Sequence, residues 1–373
     1  MNILITGARA PISADLAKVL ASAGHTVHTT DSLAFPVGRF SPYVTRYFQL
    51  PAPRPDFQRF REGVLRILER HKIDWIIPTS EEVFWLAQIA ELGDRLFAPR
   101  FAALAQLHDK ARFAELVSSL GYGAARNVRL SSSQDAKALL SAEPSDYWVV
   151  KPVYSRFGTD VLFSPSPGEI LKLDFRRPWL AQTRVSGKEV CVYAVASSGN
   201  VCFATAYQPR YRVGRGASIY FEPIEDTRIL PFAQAVAGAL CLTGQISFDV
   251  MLTENGLIAL ECNPRGTSGI HLAAQRPALF AAALTGQCQS FVKPDLSLVP
   301  AVLGVPFFMY HGLNYFSTKA VRADFRRSHE AMKSANLPFW AALLATAELL
   351  VMAALYRRSP IAQSTRDIEW NGE

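Results

Sequence analysis

The chain has 373 residues, of which 49% are hydrophobic and 19% charged, and a formal net charge of +7. This excludes a disordered chain and leaves room for roughly two to four domains or lobes. The basic balance permits acidic ligands, but there is no zinc finger, RNA-recognition signature or long Lys/Arg block, so a nucleic-acid partner is not expected.

Residues 1–105 alternate strand and helix patterns. Asn2–Thr6 is a short apolar strand, Gly7–Ile12 a turn, and Ser13–Ala23 has helical spacing. His25–Thr30 is a second strand ending at Asp31, and Ile73–Ile77 is another, running into Pro78-Thr-Ser-Glu-Glu82 and a helix. The pattern predicts a small doubly wound α/β domain. A dinucleotide site with Asp31 on a ribose is not supported, because only Gly7 of the three GxGxxG glycines is present. Thr79, Ser80, Glu81 and Glu82 lie where α/β sheets place ligands, although helix capping explains Thr79 and Ser80 equally well.

Further on, His108-Asp-Lys-Ala-Arg-Phe113 precedes a helix, and Tyr147–Pro152 is a strand ended by proline. Lys151, at the end of that apolar strand, needs an anionic partner or a route to water. Strands follow at Val190–Ala196, Val201–Tyr207, Ile246–Leu252 and Leu257–Asn263. Between the second and third lies Gln208–Ala217, with Arg210, Arg212 and Arg215 beside Tyr211 and two glycines. Guanidinium forks suit carboxylates and phosphates, and a solvated loop is the competing reading.

The most informative stretch is Gln245–His271, QISFDVMLTENGLIALECNPRGTSGIH. Asn-Gly between two apolar runs signals a hairpin. Glu261, Asn263 and Arg265 share one parity and so one face of the second strand. A three-residue loop, Glu254-Asn255-Gly256, would set Asp249 opposite Glu261, whereas a two-residue Asn255-Gly256 loop would set it opposite Cys262. The first register is expected. Facing carboxylates repel, and a hard divalent cation held by carboxylate and amide oxygens removes the conflict.

Toward the end, Leu337–Tyr356 is a nearly continuous apolar run approaching the length of a membrane span. Glu348 near its centre and its many alanines argue for a helix packed on protein rather than a span, with peripheral membrane contact or a partner subunit as alternatives. Arg366-Asp-Ile-Glu-Trp-Asn371 is too patterned for a random tail, and the sequence suggests no mechanism for it. The five cysteines, Cys191, Cys202, Cys241, Cys262 and Cys288, show no CxxC spacing, and the opening MNILITG has no signal-peptide pattern. A reduced, cytoplasmic compartment is expected.

Glu-Cys-Asn-Pro-Arg265, preceded by Phe-Asp-Val250 and a short hairpin, resembles the metal-binding end of the ATP-grasp superfamily. The following Gly266–His271 resembles its carbamoyl-phosphate-synthase-like, carboxylate–amine ligase branch. The similarity runs from residue 1 to about 290. It implies an α/β architecture with a Rossmann-like pre-ATP-grasp domain at 1–105 and ATP-grasp lobes at 106–180 and 181–300; residues 301–373 go beyond the common family core and are expected to form a helical extension.

By the same resemblance, ATP phosphates are held by Lys110, Lys151 and a loop over Val153–Asp160 containing Ser155 and Gly158. That loop is poorer in Gly and Ser than is usual, and Arg156 supplies charge instead. Adenine is met at Leu180 and Gln182, and ribose at Glu189. Magnesium or manganese sits on Asp249, Glu261 and Asn263, with Arg265 and Arg215 assisting catalysis. The implied reaction activates a carboxylate as an acyl phosphate and joins it to an amine, with small-molecule substrates and a homodimer as a reasonable assembly. A bicarbonate-using carboxylase and a non-catalytic ATP-binding or membrane-associated regulator stay open as alternatives.

Overall fold

A computed structural model describes residues 1–154, 156, 158, 160–214, 216–288 and 298–372. Its first sheet is parallel, with strands in the order Arg46–Gln49, Thr26–Asp31, Asn2–Thr6 and Trp75–Ile77. The strand Asn2–Thr6 is apolar at consecutive positions because both its faces are covered. Ile3 and Ile5 pack in one core with the helix Ile12–Ser22, and Leu4 in another with the helix Phe57–His71. This is the doubly wound arrangement the alternating pattern predicts. Its topological switch point lies between Asn2–Thr6 and Trp75–Ile77, where the strand order reverses direction.

A four-stranded antiparallel sheet follows, in the order Asn127–Leu130, Trp179–Thr183, Trp148–Pro152 and Leu162–Phe163. Its core is built around Trp148, Val150 and Trp179. The largest sheet has eight strands, ordered His329–Glu330, Ala301–Val302, Tyr220–Pro223, Asn200–Pro209, Lys188–Ser197, Gly244–Thr253, Gly256–Asn263 and Gly123–Ala124. Along Lys188–Ser197, Val190, Val192, Ala194 and Ala196 pack in one core with the helices Lys110–Ser119 and Ile229–Ala239. Tyr193 and Val195 join the core that contains Ile3, Ile5 and Phe97. The period-two alternation of one strand therefore ties the central sheet to the N-terminal sheet.

The chain beyond residue 300 is mainly helical, with helices at Gly304–Ser317, Lys319–Arg327 and Phe339–Leu355. It also gives the large sheet its last two strands, Ala301–Val302 and His329–Glu330. Among the described residues, no helix is long and apolar enough to cross a membrane. The helix Phe339–Leu355 is packed on protein along one side only. Its buried residues are Ala341, Ala342 and Ala353, and Glu348 accepts hydrogen bonds from the backbone N–H groups of Ala34 (2.7 Å) and Phe35 (2.8 Å). The carboxylate that is costly in lipid thus ties the helix to the loop after the second strand.

Candidate functional site

The site lies in a cleft of about 890 Å³ lined by the four-stranded and the eight-stranded sheets. On the four-stranded side, Lys151 and Gln182 come from neighbouring strands, with Lys151 opposite Leu180 and Gln182 opposite Val149. The Lys151 ammonium donates to Gln182 Oε1 at 3.0 Å and to Glu261 Oε2 at 3.2 Å. The anionic partner demanded of a buried strand-end lysine is therefore Glu261, on the other sheet. Gln182 is fixed in turn by its amide, which donates to Asn127 Oδ1 at 3.1 Å and to the Leu260 carbonyl at 3.0 Å.

Lys110 opens the helix Lys110–Ser119, whose N-cap Asp109 accepts from Ala111 N and Arg112 N. Its ammonium lies 3.6 Å from Glu261 Oε2 and donates to the Val153 carbonyl at 3.1 Å. Burial pushes the Lys110 ammonium below its ordinary range, with Glu261 opposing. Two lysines thus converge on one carboxylate oxygen, which suits a pair built to hold a larger anion.

On the eight-stranded side the hairpin brings Asp249 opposite Glu261 and Ser247 opposite Asn263. The register is the expected one, but the turn is not. The hairpin closes at Thr253 opposite Gly256, leaving Glu254-Asn255 as a two-residue loop. Thr253 Oγ1 accepts from Asn255 N at 3.2 Å and donates to the Gly256 carbonyl at 3.0 Å. That loop alone would set Asp249 opposite Leu260. A bulge between Asp249 and Val250 in the register, with Leu260 as the extra residue, restores the Glu261 pairing.

The pairing has electrostatic consequences. Burial, and then Glu261, push the Asp249 carboxyl well above the ordinary carboxylate range. Burial would also raise Glu261, but Lys110 and Lys151 outweigh it and hold Glu261 down. Of the pair, Asp249 is the member that takes a proton more readily and Glu261 the one that stays ionised. Cys191, on the strand Lys188–Ser197, lies opposite Asp249, and burial and then the Asp249 carboxylate push its thiol up. This thiol escaped the sequence reading, although it shares parity with Glu189. Two carboxyls facing each other, with Asn263 in the same cleft, fit an oxygen-ligated divalent cation displacing the Asp249 proton. Among the described residues there is no cluster of three His, Cys, Asp or Glu side chains that would serve a thiophilic or His-ligated metal.

Arg265 lies beyond the strand end, in the same cleft. Its guanidinium donates to Asn263 Oδ1 and to the Gly266 carbonyl, each at 3.3 Å. Gly158 and Arg156 also line the cleft, as does Glu189, which is paired with Arg212 at 2.6 Å. Leu180 is fully buried and is not part of the lining; the segment Gln182–Val185 is. Ser155 and Arg215 lie outside the described residues.

Beyond Arg156 the cleft adjoins the loops after the first and fourth strands of the parallel sheet and the segment 366–372. Gly7 follows the first strand with φ +70°, and a Cβ there would lie 2.4 Å from Thr79 Oγ1 and 2.7 Å from Glu82 Oε1, so only glycine fits. Thr79 donates to the Thr6 and Gly7 carbonyls, and Glu82 accepts from Thr6 Oγ1 at 2.7 Å and Thr79 N at 3.0 Å. These two residues brace the switch point.

Glu81 points the other way and pairs with Arg156. Burial would raise the Glu81 carboxyl, but Arg156 and then His108 hold it down to about 2. The tail completes the clasp. Arg156 donates to the Trp370 carbonyl at 2.7 Å and to Asn371 Oδ1 at 2.9 Å. Trp370 stacks on Phe84 with ring centroids 5.0 Å apart, and Trp85 donates to the Ile368 carbonyl at 2.9 Å. Asp367 shares Arg9 with Asp31, each at 2.6 Å.

The cleft thus lies between a four-stranded antiparallel sheet and a mixed eight-stranded sheet, with Lys151 on one wall and the paired carboxyls on the other. Residues 110–269 match the family described as the ATP-grasp domain. The fold is shared with solved structures at low identity. N5-carboxyaminoimidazole synthetase from Staphylococcus aureus is 15% identical with TM-score 0.66, covering 85% of this chain and 86% of that one. Phosphoribosylamine–glycine ligase from Thermotoga maritima is 16% identical with TM-score 0.63, covering 81% and 80%. L-amino acid ligase from Bacillus licheniformis is 16% identical with TM-score 0.59, covering 80% and 78%. No curated protein matches the chain.

Proposed function

We propose that the protein is an ATP-dependent carboxylate–amine ligase. The observation that carries this reading is the Asp249–Glu261 pair, set across one cleft from Lys151 and alongside Asn263 and Arg265. A protein that only binds nucleotide has no need of facing carboxyls at the phosphate end. The named similarity to two synthetase or ligase folds and an amino acid ligase agrees with it.

Asp249, Glu261 and Asn263 would hold magnesium or manganese, which supplies charge neutralisation between phosphate groups when bound. Lys110 and Lys151 would turn from Glu261 to phosphate oxygens. Gln182, with the backbone of residues 182–185, would border the base, and Glu189, once released from Arg212, would reach the ribose hydroxyls. A substrate carboxylate oxygen attacks the γ-phosphorus and ADP leaves. The amine nitrogen then attacks the acyl carbon, the C–O bond to phosphate breaks, and the amine gives up a proton. Arg265, which lines the same cleft, would stabilise charge on the phosphoryl group as it moves.

The test is ADP release from ATP and Mg²⁺ with pools of carboxylic acids and amines, Glu261→Gln serving as control. Formation that needs both pools supports a ligase. Formation with bicarbonate and no amine would move the assignment to a carboxylase. Nucleotide binding with no turnover in any pool would mark a non-catalytic protein.

A further inference from the structure

The helix Phe339–Leu355 is inside out. Ala341, Ala342 and Ala353 are buried against the protein, while Leu343, Leu350, Val351 and Leu355 are 50%, 51%, 58% and 75% exposed. A surface helix of a free monomer ordinarily turns its large apolar residues inward. Trp340 and Tyr356 are half exposed at its two ends. An apolar face of this kind marks an interaction surface.

The charges around the face decide what covers it. Arg357 and Arg358 follow the helix and are exposed. Beside its N-terminal half, Arg39 is exposed and lies over the rings of Phe35 and Phe40, and Phe40 meets Trp340 edge-on at 4.9 Å. Between Glu330 and Asp367 the only carboxylate is Glu348, and it is turned to the Ala34 and Phe35 amides. A second copy of this chain would meet the face with the same face. In either helix direction arginines would then oppose arginines, with no carboxylate of the helix to answer them. A negatively charged lipid surface answers both basic ends at once and accepts the apolar residues between them.

We propose that this helix lies in the plane of an anionic membrane surface, with the arginines at the headgroups and the leucines and valine among the first methylenes. The 17-residue helix is about 26 Å long. That suits a helix lying in the interface and falls short of the roughly 20 residues needed for a span. Aromatic residues at both ends suit the headgroup boundary. The inference does not depend on the reaction proposed above.

The experiment is sedimentation of the full-length protein with phosphatidylcholine vesicles, with and without phosphatidylserine, at low and high salt. The expected result is binding that needs phosphatidylserine and weakens as salt rises. Arg357→Gln/Arg358→Gln should lower partitioning roughly 30-fold, since each basic residue near such a surface contributes about 1 kcal/mol. Leu350→Asn/Leu355→Asn should abolish binding while the circular dichroism spectrum stays that of the parent. Two results would overturn the proposal. One is no binding to either vesicle. The other is a stable dimer in analytical ultracentrifugation that the Leu350→Asn/Leu355→Asn protein does not form, which would make the occupant a second copy.

Discussion

The two ends of the site are built in opposite ways. The end that carries the carboxyl pair hangs on strands: Lys151 and Gln182 on adjacent strands of one sheet, Asp249 and Glu261 paired across another. The end that carries Glu81 hangs on a loop, a single arginine and the last residues of the chain. Strands fix a side chain by alternation and register, so a few residues of sequence determine where it points. A loop held by a distant tail is fixed only by tertiary contacts. The first end is therefore rigid by construction, and the second stays in place only while its clasp does.

The sharpest test of the strand-built end is Glu261→Gln. It should lower magnesium-dependent ADP release by about 10³-fold, the scale of losing a group that organises transition-state charge, with an unchanged circular dichroism spectrum. Unchanged turnover would remove the carboxyl pair from the chemistry. The corresponding test of the clasp is Trp370→Ala. Removing a buried Trp should cost about 3–5 kcal/mol, read as a lower urea midpoint, and should free the Arg156 loop to early proteolytic cleavage. A variant as stable and as protease-resistant as the parent would show that the tail contributes nothing to that end.

Lys151→Ala should weaken nucleotide binding by about 10- to 100-fold, the worth of a charge-assisted hydrogen bond, measured by calorimetry. Equal affinity would place the lysine outside the nucleotide site. The smallest effect concerns pH. Asp249 is raised in the folded protein, so the stability it contributes is present at acid pH and lost as pH rises through its folded-state value. Glu261 is shifted the other way, and its contribution is lost only on strong acidification. Mg²⁺ should therefore raise the melting temperature more at pH 8 than at pH 6 (roughly either side of neutrality), with proton release on binding. Asp249→Asn should flatten this dependence.

How much of this was legible in the sequence follows the same division. The parity of Glu261 and Asn263, the Lys151 strand end and the Asp249–Glu261 pairing could all be read, because each rests on local periodicity. The turn was read wrongly. Asn255-Gly256 invited a loop including Gly256, whereas the chain turns on Glu254-Asn255 and corrects its register with a bulge at Leu260. Bulges leave little local signature, and here the correct pairing was reached through a different turn. The Glu189–Arg212 pair and the Cys191 thiol beside Asp249 depend on how separate segments meet. For the C-terminal helix, Glu348 and the many alanines predict packing on protein. The packing is real on the alanine side, but the leucines face outward, a choice that hydropathy alone cannot make. The tail motif Arg366–Asn371 was visible as a pattern, but its partners Arg9, Glu81 and Arg156 lie hundreds of residues away.

That separation sets an order of events during synthesis. Arg9 and Asp367 are 358 residues apart, and at about 5–20 residues per second the ribosome needs tens of seconds to make that length. The parallel sheet emerges well before its cover, since Trp85, Phe84 and the Arg9–Asp31 pair are closed over by Ile368, Trp370 and Asp367. A chain lacking residues 366–372 would keep every strand of its three main sheets and still leave Phe84, Trp85 and the Arg9–Asp31 pair open to water.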